Sequence, residues 1–239
     1  MADPEKRPRQ AHLIGLLAFT SGSIDVVTLM VIGGSFTSVI TGNLIFIGRA
    51  IGTQSLSPAL HAIVAVAGYM AGVAVGSKLR QLLSRGAPQA PWPRAATQVL
   101  AVEWALLAAL NIAWIGYDAA PPAAAADVLL VAAALSLGMQ GAAVRSIKGN
   151  PSTTYMTGAL TTLVEALSTG GHRTIDASIA VGLLCLVAGA ACSAVLVEHA
   201  SQTALLPPLA ALALVVVFML GRHHREQRAG AERAPSPAE

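Results

Sequence analysis

Charge is scarce in this sequence. Only 11% of its 239 residues are Asp, Glu, Lys or Arg, against about a quarter in an ordinary water-soluble domain. Cysteine is nearly absent: Cys185 and Cys192 stand in one apolar run, which excludes a disulfide framework and a thiolate metal centre and leaves them as small packing residues. Aromatic residues make up 4%, and no aromatic and basic surface accompanies the net charge of +3, so the basic residues do not indicate a nucleic-acid partner. The six histidines are scattered without ligand spacing. Phosphate-binding loops, zinc-protease motifs and nucleophile elbows are missing as well. The sequence therefore offers no catalytic residue, no metal ligand and no cofactor site, and an enzyme is not expected.

Apolar residues are what the chain has in abundance, at 54%, with a mean hydropathy of +0.64. The few charges are segregated at the flanks of the apolar runs. Lys6, Arg7 and Arg9 precede the first run, Lys78, Arg80, Arg85 and Arg94 cluster between two others, and Arg222, Arg225, Arg228 and Arg233 follow the last. Six runs of roughly 20 residues read as full bilayer spans, near 13–32, 59–77, 95–115, 125–144, 175–197 and 204–221. Because the first run is longer than a signal-peptide core and more spans follow it, it reads as a retained span. Two further segments, near 38–52 and 153–167, are shorter and more polar. A helix of about 14 residues covers roughly 21 Å of an apolar core about 30 Å thick, so neither crosses comfortably alone.

An internal repeat organises these elements. A shift of 116 positions lays Gly22 on Gly138, Gly33 on Gly149, Thr37 on Thr153, Thr41 on Thr157, Gly42 on Gly158 and Leu44 on Leu160. Each half then reads span, short segment, span, span. If the short segments are re-entrant, both termini, the loop of Lys78 to Arg94 and the loop of Arg145 and Lys148 all fall inside, as the positive-inside rule requires. Were both short segments to cross, the most basic loop would lie outside. Three spans per half place the halves in opposite orientations, an inverted 3+3 repeat of the kind found in many secondary transporters. The expected architecture is an all-α membrane protein of about six transmembrane helices plus two short re-entrant or broken helices. Its parts are a cytoplasmic segment 1–11, one transmembrane domain 12–221 with halves 12–117 and 123–221, and a disordered cytoplasmic tail 222–239.

Polar residues inside the spans are the candidates for function. Asp25 lies near the middle of the first span, where a carboxylate is expensive; it reads either as an acid suited to proton exchange or as a satisfied structural acceptor. Glu103 is a second acid inside a span, and Gln140 sits beside the repeat partner of Asp25, so Asp25, Glu103 and Gln140 are the candidates for a proton or substrate pathway. Thr41, Gly42 and Asn43 with their counterparts Thr157 and Gly158 are the candidates for solute binding. Irregular backbone at membrane depth is tolerated only beside protein or a water-filled cavity, and half-helix starts favour polar or anionic groups. Gly68, Gly72 and Gly76 form a ladder at spacing four that reads as a close helix contact.

The run Ala18-Phe19-Thr20-Ser21-Gly22-Ser23-Ile24-Asp25, then Gly33-Gly34-Ser35-Phe36, Thr41-Gly42-Asn43-Leu44, Gly138-Met139-Gln140 and 153–158 resembles the YoaK-like family of bacterial integral membrane proteins. The resemblance covers about residues 11–221. It implies the membrane class and supplies no substrate, since the family is a domain of unknown function. Gly141 stands where the family often has Asn after the Gly-Gln pair, and Ala159 replaces the Asn of the first-half motif.

The leading functional expectation is a small secondary transporter or permease of the bacterial cytoplasmic membrane, moving a small polar or anionic solute with coupling to protons. A passive channel with paired half-helices and a non-transporting scaffold are the alternatives. The expected partners are the lipid bilayer and that solute; the composition also admits a homo-oligomer. Single cysteines at Ala87 and Ala124, in a background without Cys185 and Cys192, test the topology. Ala87 should label only from the inside and Ala124 from the outside, and external labelling at Ala87 would remove the inverted arrangement.

Overall fold

A computed structural model describes residues 6–54, 56–85, 90–147, 156–168 and 177–232. The described residues are helical with short connections. In chain order the helices are α1 (Lys6–Val27), α2 (Ile40–Thr53), α3 (Leu56–Leu83), α4 (Arg94–Gly116), α5 (Ala123–Val144), α6 (Met156–Ser168), α7 (Ala177–Ala200) and α8 (Leu206–Glu232). Among them, six are long and apolar enough to cross a membrane, over Gln10–Ile32, Ala59–Leu83, Arg94–Gly116, Ala123–Val144, Ile179–Thr203 and Leu206–Arg228. These are the six expected spans within a few residues, and α2 and α6 are the two expected short helices, of 14 and 13 residues. Lys148, Gly149 and Thr153 to Tyr155 of the second short segment, the tail beyond Glu232 and residues 1–5 lie outside the described residues.

The tail differs from expectation. Beyond Gly221, α8 continues as helix to Glu232 instead of ending at the last apolar residue. Good helix formers fill this stretch, and Arg222 Nε donates to Glu226 Oε1 at 2.9 Å, an ion pair one turn apart that supports an exposed helix.

Two helix pairs have the most extensive packing, α1 on α7 and α3 on α5. Both pairs depend on glycine. A Cβ on Gly22 would lie 2.2 Å from the Leu186 carbonyl oxygen, and one on Gly189 2.2 Å from that of Phe19. In the other pair, a Cβ on Gly72 would lie 2.1 Å from the Leu135 oxygen and one on Gly138 2.3 Å from that of Tyr69. Any side chain larger than hydrogen is excluded there, so the backbones meet directly, as small-residue motifs allow in helices that have no hydrophobic driving force between them in lipid. The partners run parallel in both pairs: Gly68, Gly72 and Gly76 of α3 meet residues near 131–134, 135 and 139–142 of α5 in ascending order.

Around these pairs, α4 lies against α5 and α8 against α1, while α4 and α8 pack on each other. The short helices ride on the outside, α2 on α3 and α6 on α7. The most enclosed helices are α1 and α5, which run antiparallel: Gln140 of α5 reaches Leu17 and Ser21 of α1, while Leu130 lies beside Gly33 at the other end. Because α3 runs with α5 and α7 runs with α1, α1 is antiparallel to α3, and α5 to α7.

Replacing Gly72 or Gly138 by Ala should lower stability by an amount at or above the upper end of the roughly 1–3 kcal/mol usual for overpacking, since backbone has to move. Gly48→Ala, where the Cβ meets nothing within 4 Å, is the control. Thermal unfolding of the purified variants in detergent measures the difference, and equal melting temperatures would exclude backbone contact at these crossings.

Candidate functional site

The first half breaks its helix just beyond Asp25. Thr28 Oγ1 donates back to the Ile24 and Asp25 carbonyls at 3.0 and 3.1 Å, and residues Thr28–Ile32 widen into a π-helical turn. The amides of Gly33 and Gly34 then both reach the Thr28 carbonyl, and Gly34 takes φ +63°, a left-handed conformation that glycine adopts without strain. From there the chain runs back alongside the helix it has left, until Thr37 and Ser38 lie against Asp25.

Asp25, 5% exposed, accepts four hydrogen bonds from that returning segment. Its Oδ1 takes the Thr37 amide at 2.6 Å, the Thr37 hydroxyl at 2.8 Å and the Ser38 amide at 2.8 Å; its Oδ2 takes the Ser38 hydroxyl. A carboxylate so placed also faces the positive end of α2, which starts at Ile40. Both oxygens are engaged by fixed donors, so the structural reading of Asp25 has the geometry behind it: the side chain anchors the helix break.

Asn43 closes the same loop from the other side. Fully buried, it accepts the Phe36 amide at 3.0 Å and donates to the Phe36 carbonyl at 2.6 Å. Gly42 is close to the Phe36 ring, 3.2 Å from where a Cβ would sit, whereas Thr41 is exposed. In the second half, Thr157 is exposed and Gly158 half-buried at the start of α6. The two trios do not meet, since α2 packs on α3 and α6 on α7 with no extended interface between the short helices.

Gln140 performs a different task from Asp25. Its Nε2 donates to the Leu17 carbonyl at 3.0 Å and to Ser21 Oγ at 2.8 Å, tying α5 to α1, while its Oε1 is buried without a partner among the described residues. Gly141, 116 positions after Asp25, carries no acid; the Tyr69 hydroxyl lies 2.9 Å from where its Cβ would be. Glu103 is fully buried in α4, and neither carboxylate oxygen has a hydrogen-bond partner among the described residues.

Sequence reasoning missed Thr37 and Ser38 as donors, because nothing in their spacing shows that the chain folds back onto Asp25. It also missed the buried Thr97 and His223 contact at 3.1 Å between α4 and α8, and the His61 and Asp127 pair at 3.3 Å between α3 and α5. Among the described residues no group of three or more His, Cys, Asp or Glu is placed to hold a metal ion.

Asp25→Asn should destabilise the protein by about 1–3 kcal/mol, because the amide it introduces turns one acceptor into a donor facing donors. Thr37→Val, which removes one of the four bonds, should cost about 1 kcal/mol. Unfolding curves in detergent report both, and a wild-type melting temperature for Asp25→Asn would show that the anchor is dispensable.

Comparison with known proteins agrees with this architecture. A family model described as a protein of unknown function (DUF1275) matches residues 13–218. The chain is also 31% identical over 160 residues to the UPF0700 transmembrane protein YoaK of Bacillus subtilis (strain 168), a match covering 65% of this chain and 66% of that relative. That is just under two thirds of the relative's length. No solved structure matches. With a family model spanning most of the sequence and six helices suited to crossing a bilayer, the chain belongs to the YoaK-like DUF1275 family of multi-pass membrane proteins.

Proposed function

We propose that the protein is a small secondary transporter for a small polar or anionic solute, coupled to protons and built from two halves in opposite orientation around re-entrant short helices. The observation that carries this reading is the exchange of helix pairs between the halves. The shift that lays Gly22 on Gly138 also lays Phe19 on Leu135, and the contact of α1 with α7 thereby becomes that of α5 with α3. In the same way α1 with α8 becomes α5 with α4, and α2 with α3 becomes α6 with α7. Such pairing is what a two-fold relation in the plane of a membrane requires.

The helix directions support the re-entrant part of the reading. The antiparallel directions of α1 and α3, and of α5 and α7, fit connecting segments that enter and leave on one side of the layer formed by the six long helices. The loop before α2 returns to the level of Asp25, so α2 starts at depth and runs outward. Irregular backbone at that depth needs internal partners, and Asp25 and Asn43 supply them.

Solute chemistry follows from the same geometry. In the first half the positive helix start already faces the Asp25 carboxylate, which leaves little field for a second anion. In the second half Gly141 occupies the equivalent position, so the start of α6 keeps its attraction for polar or anionic groups. The distribution of Lys and Arg supports a cytoplasmic position for both termini.

A thermal-shift screen of purified protein against polar and anionic metabolites tests binding. A true ligand at a hundredfold excess over its Kd stabilises by about 2.7 kcal/mol. For a chain of this size that corresponds to a melting-point rise of roughly 5–11 °C. Binders are then followed into proteoliposomes under an imposed pH gradient, where a coupled transporter accumulates the solute against its concentration gradient. Simple equilibration, insensitive to pH, would instead make the protein a channel, and binding without flux would make it a receptor or scaffold.

A further inference from the structure

The buried face of α4 is apolar except at Thr97, Glu103 and Asn111, and Glu103 is its one acid. Ala96, Leu100, Glu103, Leu107, Leu110 and Trp114 recur at helical spacing, and all are at most 4% exposed. They form the stripe that α4 turns toward α5 and α8. Glu103 sits in the middle of it, about 14 Å along the helix from Arg94 and some 20 Å from Gly116 at 1.5 Å per residue. The other buried acid among the described residues, Asp25, accepts four hydrogen bonds; Glu103 has no hydrogen-bond partner at either oxygen.

The surroundings do not compensate for it. The contacts of Trp104 with the Leu209 carbonyl and of Thr97 with His223 bracket Glu103 along α8, and between them Leu212 and Val215 are fully buried. Charged and titratable groups on the packing helices lie elsewhere: Lys78 and Arg80 near the inner end of α3, His61 with Asp127 toward the outer ends of α3 and α5, and Arg222, His223, Arg225 and Glu226 on the last turns of α8. Tyr69 of α3 is directed at Gly141 of α5. None forms an ion pair with Glu103, and Arg94 lies a helix length of about 14 Å away.

A metal ion would need several oxygen ligands around it, and no cluster of acidic or His side chains is present among the described residues. The one cation that a lone carboxylate binds by itself is a proton. We propose that Glu103 is the proton-exchanging carboxyl of this protein and that Asp25 is a fixed anchor. The exchange is a single equilibrium, carboxylate plus proton to carboxylic acid, with no other bond made or broken. This assignment rests on the proton-coupled reading above and names its coupling group.

Infrared difference spectroscopy of purified protein in lipid vesicles, recorded across a pH series, tests it without knowledge of the solute. The expected result is a carbonyl band of a protonated carboxyl that disappears as pH rises, shifts on carbon-13 labelling of glutamate, is lost in Glu103→Gln and survives in Asp25→Asn. Should Glu103→Gln fail to fold, modification of wild-type protein by an apolar carbodiimide, mapped by mass spectrometry, should mark Glu103 at low pH and not at high pH. A band that persists in Glu103→Gln, one that never changes with pH, or an adduct on Asp25 in place of Glu103 overturns the assignment. Solute accumulation that is pH-driven and unchanged in Glu103→Gln would also overturn it while leaving the transporter reading standing. A titrating Glu103 in a protein that moves no solute would support it while removing the transporter.

Discussion

A chain that breaks its helix inside an apolar layer has to bond the backbone groups it frees, and in this protein the requirement falls on one carboxylate. Asp25 holds the amides and hydroxyls of Thr37 and Ser38, and Asn43 holds both backbone groups of Phe36. Unsatisfied amides in hydrocarbon cost several kcal/mol each, so these two side chains stabilise the segment between α1 and α2. The position of α2, the direction in which α3 departs and hence the alignment of α3 with α5 all follow from that reversal.

The second constraint is steric. Helices in lipid gain little by hiding apolar surface from water, so their association relies on close packing and hydrogen bonds. The glycine crossings supply the first and the small hydroxyls of α1 the second. Ser23 donates to the Gly189 carbonyl at 3.0 Å and Thr20 reaches that of Pro208 at 3.4 Å, so α1 is joined to α7 and α8 by side chains that cost little volume. At the outer edge, Trp114 donates to the Ser201 carbonyl at 2.8 Å and fixes the turn into α8.

The spans were legible in the sequence because length and apolarity are local properties, and the short helices because their lengths fall below what a bilayer demands. The Gly68, Gly72 and Gly76 ladder announced a close helix contact without revealing its partner, which only the fold shows to be α5. Asp25 stood out by its depth, yet its role turned on donors 12 and 13 residues later, brought back by a left-handed glycine. The helical tail was hidden for a related reason: composition marks Arg222 to Glu232 as soluble, and only pairing such as that of Arg222 with Glu226 keeps it wound. Glu103 was visible as an acid in a span, but that its oxygens have no hydrogen-bond partner among the described residues is a property of the packed helices.

Because α1 pairs with α7 and α3 with α5, neither half owns its principal interfaces. In synthesis α1 must wait until α2 to α6 have been made before its main neighbour, α7, arrives. During that interval the groove along Gly15, Gly22 and Phe19 is open to lipid, and Ser23 lacks the carbonyl it will bond. Covering of α1 therefore depends on α7, and a chain truncated after α5 leaves α1 without its main neighbour.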